Sequence, residues 1–456
     1  MKAVHLVFAV LLALVLSGNS VEEAGARLSS PLAPMANPRL LVGFDADVGS
    51  HGYVVVAWVQ RRSTNTKGSA LVSFARVKRP GDRKFGRPTR LGPASNGAID
   101  VEIGSTDLAV VAWPGKEGYL RYVTGRPRSS WASSRWVGGT TSLGVKIAVG
   151  PDGTILASNL AGSIGREDRV ALVATKSPGD EDFTPWRVVS SDVPVGTDLG
   201  VVAGRNGEGT VAWSGLCPTD TDGDPAYYVD IDDQSASDPI KLSNSKCTVW
   251  DLDLQTDARG RQYLLIGTWT GLRFAAREPD SPFPQMSNIT TSYMGGPGDL
   301  SVSATGRGTL TWTRSDRSGY PRSNRYVTFN GSKPLGQTRI LRGPRTNPEQ
   351  VRDYLMDSAA LPDGSLLNLW TLTWKENAFQ IRNKFGLSRW VQGQKFNRPR
   401  YNIPIGRSLT PYPVKVETAN DGSQLAWWIE TDDRNTPSRV RVIVGNWRRN
   451  SAPATN

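Results

Sequence analysis

The chain has 456 residues, a formal net charge of +12, 47 glycines and 30 prolines. That turn-rich composition, with 15 tryptophans and 38% hydrophobic residues, favours many short strands over long helices. With only two histidines and two cysteines, most zinc-site and Ser-His-Asp chemistry is excluded.

The first twenty residues hold one cation, Lys2, followed by the apolar run Ala3 to Leu16. The run is too short to span a bilayer comfortably. Ala24-Gly25-Ala26 follows as a small-x-small cleavage signal. We expect a secretory signal peptide over residues 1–26 and a mature domain over residues 27–456, with a retained anchor as the alternative. No later stretch has the ~20 apolar residues needed to cross a membrane. Export argues against a nucleic-acid partner despite the basic charge. The expected partners are acidic glycans, surface polymers or proteins, and the expected state is a monomer. The plain alternative is that the charge only keeps a large β-protein soluble.

One phrase then recurs along the chain: a run of β-formers ending in Trp. Copies are Tyr53 to Trp58, Leu108 to Trp113, Thr210 to Trp213, Leu264 to Trp269, Thr309 to Trp312, Leu366 to Trp370 and Gln424 to Trp427. A degenerate copy, Thr154 to Ser158, places Ser158 where Trp is expected. The repeat length of about 50 residues is that of one propeller blade. Within each unit a short alternating strand, such as Ile99 to Ile103, leads through a turn to the Trp strand. Several of these turns contain Asp-Gly (Asp152-Gly153, Asp363-Gly364, Asp421-Gly422), a strong hairpin signal. A third strand and a fourth complete the unit.

The fold expected is therefore all-β: a single β-propeller of about eight four-stranded blades, with seven as the alternative. The segment around Ser30 to Leu32 aligns with a fourth strand, and the last unit has only three. The N-terminal strand is thus expected to complete the last blade and hide two open sheet edges. A string of separate β-sandwiches would need linkers, which the sequence lacks.

These Asp-Gly-x-x-x-x-Ala-Trp phrases resemble those of secreted bacterial β-propeller repeat proteins, which are loosely similar to sialidase-like propellers. The resemblance covers residues 27–456 and implies a fold, not a chemistry. It also implies that the loops from fourth to first strand, and from second to third, gather at one mouth of a central channel. Asp100, Asp198, Asp251, Asp299 and Asp353 stand at or near the start of first strands on that side. They are expected either to ring the channel as a ligand site or to cap their own turns. Trp250, Trp374 and Tyr320 lie nearby and suit stacking on sugars, or ordinary packing. Cys217 and Cys247 fall in loops of the same face and read as one disulfide in an exported chain. Between them, Asp220, Asp222 and Asp224 resemble half of a calcium loop; the alternative is a solvated acidic loop.

His5 leaves with the leader, so His51 is the only mature histidine. Nucleotide-binding and nucleophile-elbow motifs are absent from the sequence. The residue inventory favours a secreted binding module for a glycan, surface polymer or protein, with no catalytic residue identified and calcium the only cofactor suggested. The alternative is a sialidase-like glycosidase or polysaccharide lyase using carboxylates of the channel.

Overall fold

The computed structural model describes residues 40–446 except 63–69, 117, 128, 139–141, 163–168, 192, 194, 197, 216–224, 233–234, 244–248, 269–270, 292–293, 295–297, 316–320, 332, 342–350, 362–364, 378–379, 391–399, 405–413, 420 and 432–436. The leader, the segment around Leu32, both cysteines, Tyr320 and the Asp220–Asp224 loop therefore lie outside the described residues.

Every sheet is an antiparallel meander whose strands, a to d, run in chain order. Among the described residues there are seven four-stranded blades, not the eight expected, and one three-stranded sheet. Blade 1 has strands Leu41–Val48, Val54–Arg61, Leu71–Lys78 and Thr89–Ala94. The a strands of blades 2 to 7 are Asp100–Ile103, Ser142–Val149, Leu199–Ala203, Val249–Thr256, Asp299–Val302 and Val351–Ala360. The three-stranded sheet comprises Val414–Thr418, Ser423–Thr431 and Pro437–Asn446. Its fourth strand was expected from the N-terminal segment, which is outside the described residues. Consecutive a strands lie side by side, and Leu41–Val48 neighbours both Asp100–Ile103 and Val414–Thr418. The a strands thus form a closed innermost ring.

Alternation explains the packing. In strand a of blade 1, Phe44, Ala46 and Val48 turn back onto Leu425, Trp427, Val440 and Val442 of the three-stranded sheet. Asp45 and Asp47 point the other way, toward blade 2. The b strands are buried on both faces: all six residues of Ala109–Pro114 and of Gly209–Ser214 are buried. A strand sandwiched between two sheets must be apolar throughout, which is why these runs stood out in the sequence.

The recurring tryptophan faces the preceding sheet. Trp113 packs with Ala57 and Leu91 of blade 1, and Trp213 with Leu160 and Val173 of blade 3. Register corrects three of the expected anchors; in blade 5 Asp253 pairs with Leu265, so Ile266 and not Trp269 holds the anchor position. Asp45, Asp100 and Asp299 pair with the residue just before the tryptophan. Lys146 pairs with Ser158 and Lys415 with Trp427. Asn159 and Trp428 therefore hold the anchor positions, one residue later than expected. Trp428 is fully buried. Trp427 faces forward instead and meets Phe44 edge-on at 4.9 Å.

The a-to-b turns share one rim and are bonded to one another. The His51 amide donates to Asp421, Ser50 N to Asp107 at 2.8 Å and Asn206 N to Asp152 at 2.8 Å. Gly153 and Gly422 of the expected Asp-Gly turns have φ of 94° and 85°, which favours glycine.

Burying one tryptophan removes about 150–250 Å² from water. Trp213→Ala, at a fully buried site, should cost about 3–5 kcal/mol. Trp136→Ala, at a site 58% exposed, should change stability by less than about 0.5 kcal/mol. Urea denaturation of the two variants checks both values.

Candidate functional site

Each blade presents the free edge of its a strand to the axis, where unpaired amides need acceptors. Carboxylates of the preceding a strand supply them. Asp45 accepts from Val101 N at 2.8 Å, Asp47 from Ile103 N at 2.6 Å and Asp100 from Ile147 N at 2.7 Å. Asp357 accepts from Val416 N, and Asp299 from the Ser358 hydroxyl. Gln255 does the same for Val302 N at 3.0 Å and donates to Leu300 O. The bonds connect residues 45 to 59 positions apart, one repeat length. These bonds also align the ring. At one level stand Asp45, Asp100, Lys146, Asp253, Asp299, Asp357 and Lys415, with Gly200 of blade 4 opposite Ala112's counterpart Ala212. At the next stand Asp47, Glu102, Gln255 and Glu417.

Two lysines interrupt the acids. Lys146 Nζ lies 3.2 Å from Asp100 and Lys415 Nζ 2.6 Å from Glu417. Burial opposes the charge on Lys415, but Glu417, Asp45 and Asp100 more than offset it and hold its ammonium well above the ordinary range. Lys146 is raised by Asp100 in the same way. Burial and mutual repulsion push the carboxyls upward. Asp45 rises to about 6 despite Lys415, and Asp299 rises to about 6. Burial and Asp299 take Asp253 to about 7. Burial, with Asp253, Asp299 and Asp198 nearby, takes Asp251 to about 8. Burial and neighbouring acids hold Asp47, Glu102 and Asp357 well above the usual carboxylate range.

All of these groups except Asp45 and Asp198 line a cavity of about 1520 Å³ that runs along the axis. Its wall includes a-to-b turns, such as Asp257–Gly260, and c-to-d residues of blades 4 and 5, such as Asp232 and Asp280. The described cavity therefore opens on the a-to-b rim. The sequence reading placed the site at the opposite mouth, whose loops are largely outside the described residues. The aromatic residues in the described wall are Tyr228 and Trp312, both buried; Trp250 and Trp374 lie in strands without described side chains.

Of the five expected aspartates, Asp100, Asp251 and Asp299 share the cavity. They bridge blades and do not simply cap their own turns. Asp198 lies just above, with its amide 3.1 Å from Ser214 Oγ and its charge felt by Asp251. Asp353 pairs in register with Leu372, and Asp357, four residues later, takes the axial place in blade 7. Asp45, Asp47, Glu102, Lys146, Asp253, Asp357, Lys415 and Glu417 were missed. Their signal was legible: a charge, or a pair of charges two apart, inside an otherwise apolar a strand, as in Asp45-Ala46-Asp47 and Asp100-Val101-Glu102. Among the described residues, no group of three or more His, Cys, Asp or Glu side chains is arranged to hold a metal ion.

No protein-family model matches the chain, and no curated protein matches it. Solved structures similar to it, of distant sequence, include a β-propeller domain. The polysaccharide lyase Uly1 is 9% identical with a TM-score of 0.47, over 92% of this chain and 99% of that one. The β-propeller domain of the Trilobed protease from Pyrococcus furiosus is 11% identical with a TM-score of 0.44, over 82% and 100%. The NanB sialidase from Streptococcus pneumoniae is 10% identical with a TM-score of 0.41, over 94% and 72%. Likenesses this remote carry no information about chemistry. Among the described residues, no helix is long and apolar enough to cross a membrane.

The raised carboxyls fix the sign of a pH dependence. A folded-state pKa above the unfolded 3.8 gives stability that is complete below that value and lost as pH rises through the folded pKa. The contributions of Asp45, Asp299, Asp253 and Asp251 therefore disappear between about pH 4 and 8. The melting temperature should fall across that window. Asp253→Asn keeps an acceptor for the neighbouring strand but cannot ionise, and should lose less between about pH 4 and 7 than the parent. Scanning calorimetry at the two pH values reads the difference.

Proposed function

We propose that this protein is an exported β-propeller binding module that takes a glycan in its axial channel. The observation that carries the reading is the mixed character of the wall. A carboxyl that is largely protonated near neutral pH, such as Asp251, both donates and accepts. Asp299, titrating near 6, accepts, and the ammonium groups of Lys146 and Lys415 donate. Closely spaced donors and acceptors of both kinds match the hydroxyls of a sugar. The cavity volume exceeds the ~300–1,000 Å³ of a typical small-molecule pocket, which leaves room for several sugar units.

Lys146 is half exposed to the cavity, so Lys146→Met should leave the fold intact. Calorimetric titration with neutral, amino and acidic oligosaccharides should find a ligand whose affinity drops about tenfold in that variant, roughly 1.4 kcal/mol. Absence of any saccharide binding below millimolar concentration would refute the reading.

A glycosidase or polysaccharide lyase is the second reading. It is favoured by Asp251, a carboxyl near pKa 8 beside Asp253 on one strand face, as a general acid requires. Turnover of chromogenic glycosides or polyanionic polysaccharides that vanishes in Asp251→Asn would establish it over simple binding.

We further propose that the segment around Leu32 supplies the fourth strand of the three-stranded sheet, whose third strand Pro437–Asn446 is otherwise its outer edge. Deleting residues 27–36 should then lower the melting temperature by several degrees; an unchanged value would refute it.

A further inference from the structure

The c-to-d hairpins of blades 1 and 3 share one backbone. In blade 1, Arg79-Pro80-Gly81-Asp82 turns with Asp82 N donating to Arg79 O at 3.1 Å. In blade 3, Ser177-Pro178-Gly179-Asp180 turns with Asp180 N donating to Ser177 O at 3.1 Å. Gly81 and Gly179 have φ of 84° and 94°. An aromatic follows each turn and anchors it: Phe85 packs on the core between blade 1 and the three-stranded sheet, and Phe183 meets Tyr122 edge-on at 4.8 Å. Strand-like bonds then fasten the return, Gly86 N to Val77 O at 2.8 Å and Thr184 N to Thr175 O at 2.7 Å.

The charges at the tips are opposite. Blade 3 carries Glu181 and Asp182, and both engage Arg135 of blade 2, Asp182 at 2.8 Å. The same two positions in blade 1 are Arg83 and Lys84. With Arg79, Arg87 and Arg90 they make five exposed cations in twelve residues, against the single acid Asp82. Asp82 is turned inward to the amide of Arg79 at 3.3 Å. None of the five cations forms an ion pair with a described side chain. A hairpin tied to the core by Phe85 and by Gly86 holds this array in place, so little ordering entropy would be lost on binding.

We propose that this hairpin and the adjoining strand Thr89–Ala94 form a binding surface for a linear polysaccharide bearing carboxylate or sulfate groups. Guanidinium groups pair with such oxyanions in bidentate fashion. The large apolar side chains that are exposed, Val42, Trp136, Val188, Ile240 and Ile340, lie outside this hairpin. The surface therefore offers no ring for stacking nucleic-acid bases and no apolar wedge for a bilayer. The surface is separate from the axial channel and does not depend on what that channel holds.

The test uses the whole exported protein with heparin and with polygalacturonate as probes. Both should bind saturably at low salt, and the affinity should fall steeply as salt rises. Arg83→Glu/Lys84→Glu/Arg87→Glu should weaken binding at least tenfold. The same charge change at Arg126, Arg314 and Arg339, exposed on other blades, should weaken it less than threefold. Arg83→Gln/Lys84→Gln/Arg87→Gln, a milder change at the same exposed sites, should weaken it at least fivefold with an unchanged melting temperature. Equal losses at both sets of sites would reduce the effect to bulk charge and overturn the proposal. So would absence of binding at low salt, or tighter hairpin-dependent binding to duplex DNA or to phosphatidylglycerol–phosphatidylcholine vesicles.

Discussion

A sheet edge facing the axis is the constraint on which this structure depends. Each innermost strand is paired on one side only, and its outward amides would otherwise lie unsatisfied between packed blades. The chain answers with a carboxylate from the preceding blade: Asp45 to Val101, Asp47 to Ile103, Asp100 to Ile147, Asp357 to Val416. The bond ties neighbouring blades together at the narrowest radius, where apolar side chains have least room. It also fixes their relative height, because a slip of one residue would turn the carboxylate to the wrong face. The apolar half of the same strand, Phe44, Ala46 and Val48, faces backward and contributes the hydrophobic part of the preceding interface.

Concentrating acids at the axis has an electrostatic cost, and the rest of the charge pattern follows from it. Crowded, shielded carboxyls repel, so their pKa values climb and part of the charge is shed as bound protons. Lys415 and Lys146 relieve the remainder on one side of the ring, flanking Asp45 and Asp100. On the other side Asp253 and Asp299 have no lysine on an adjoining a strand, and Asp251 lies beside them. That asymmetry gives the channel one arc in which both lysines stand among the acids and one arc of acids alone. An oriented ligand would be distinguished by the two arcs.

The architecture was legible in the sequence because it rests on repetition and period-two alternation, both of which survive substitution. Trp113, Trp213 and Trp312 announce buried second strands, and the hairpin turns at Asp152-Gly153 and Asp421-Gly422 form as expected. The complete blades among the described residues are one fewer than expected, and the strand expected to finish the last unit, around Leu32, lies outside those residues. The site was read less well. Asp100, Asp251 and Asp299 were found by their position at strand starts, yet that criterion selected Asp353 over Asp357. The strand of blade 7 is longer, at ten residues, so its beginning lies away from the axial level. Lys146 and Lys415 escaped notice because a cation in an acidic ring has meaning only once the ring is assembled. Ser158 and Trp427 were misplaced by one residue, a slip that only register reveals.

The same repeat position can hold a structural contact in one blade and a free surface in another. The tip of the blade 3 hairpin is acidic and is occupied by Arg135. The tip of the blade 1 hairpin is basic on an unchanged backbone and faces solvent. Repetition supplies many equivalent turns, and the fold needs only their backbone bonds and one half-buried aromatic each, Phe85 or Phe183. The remaining side chains are free to diverge at little cost in stability. The net positive charge is therefore not spread evenly. Acids gather where strand edges require acceptors, and the cations left on the rim are unopposed wherever a hairpin has changed sign.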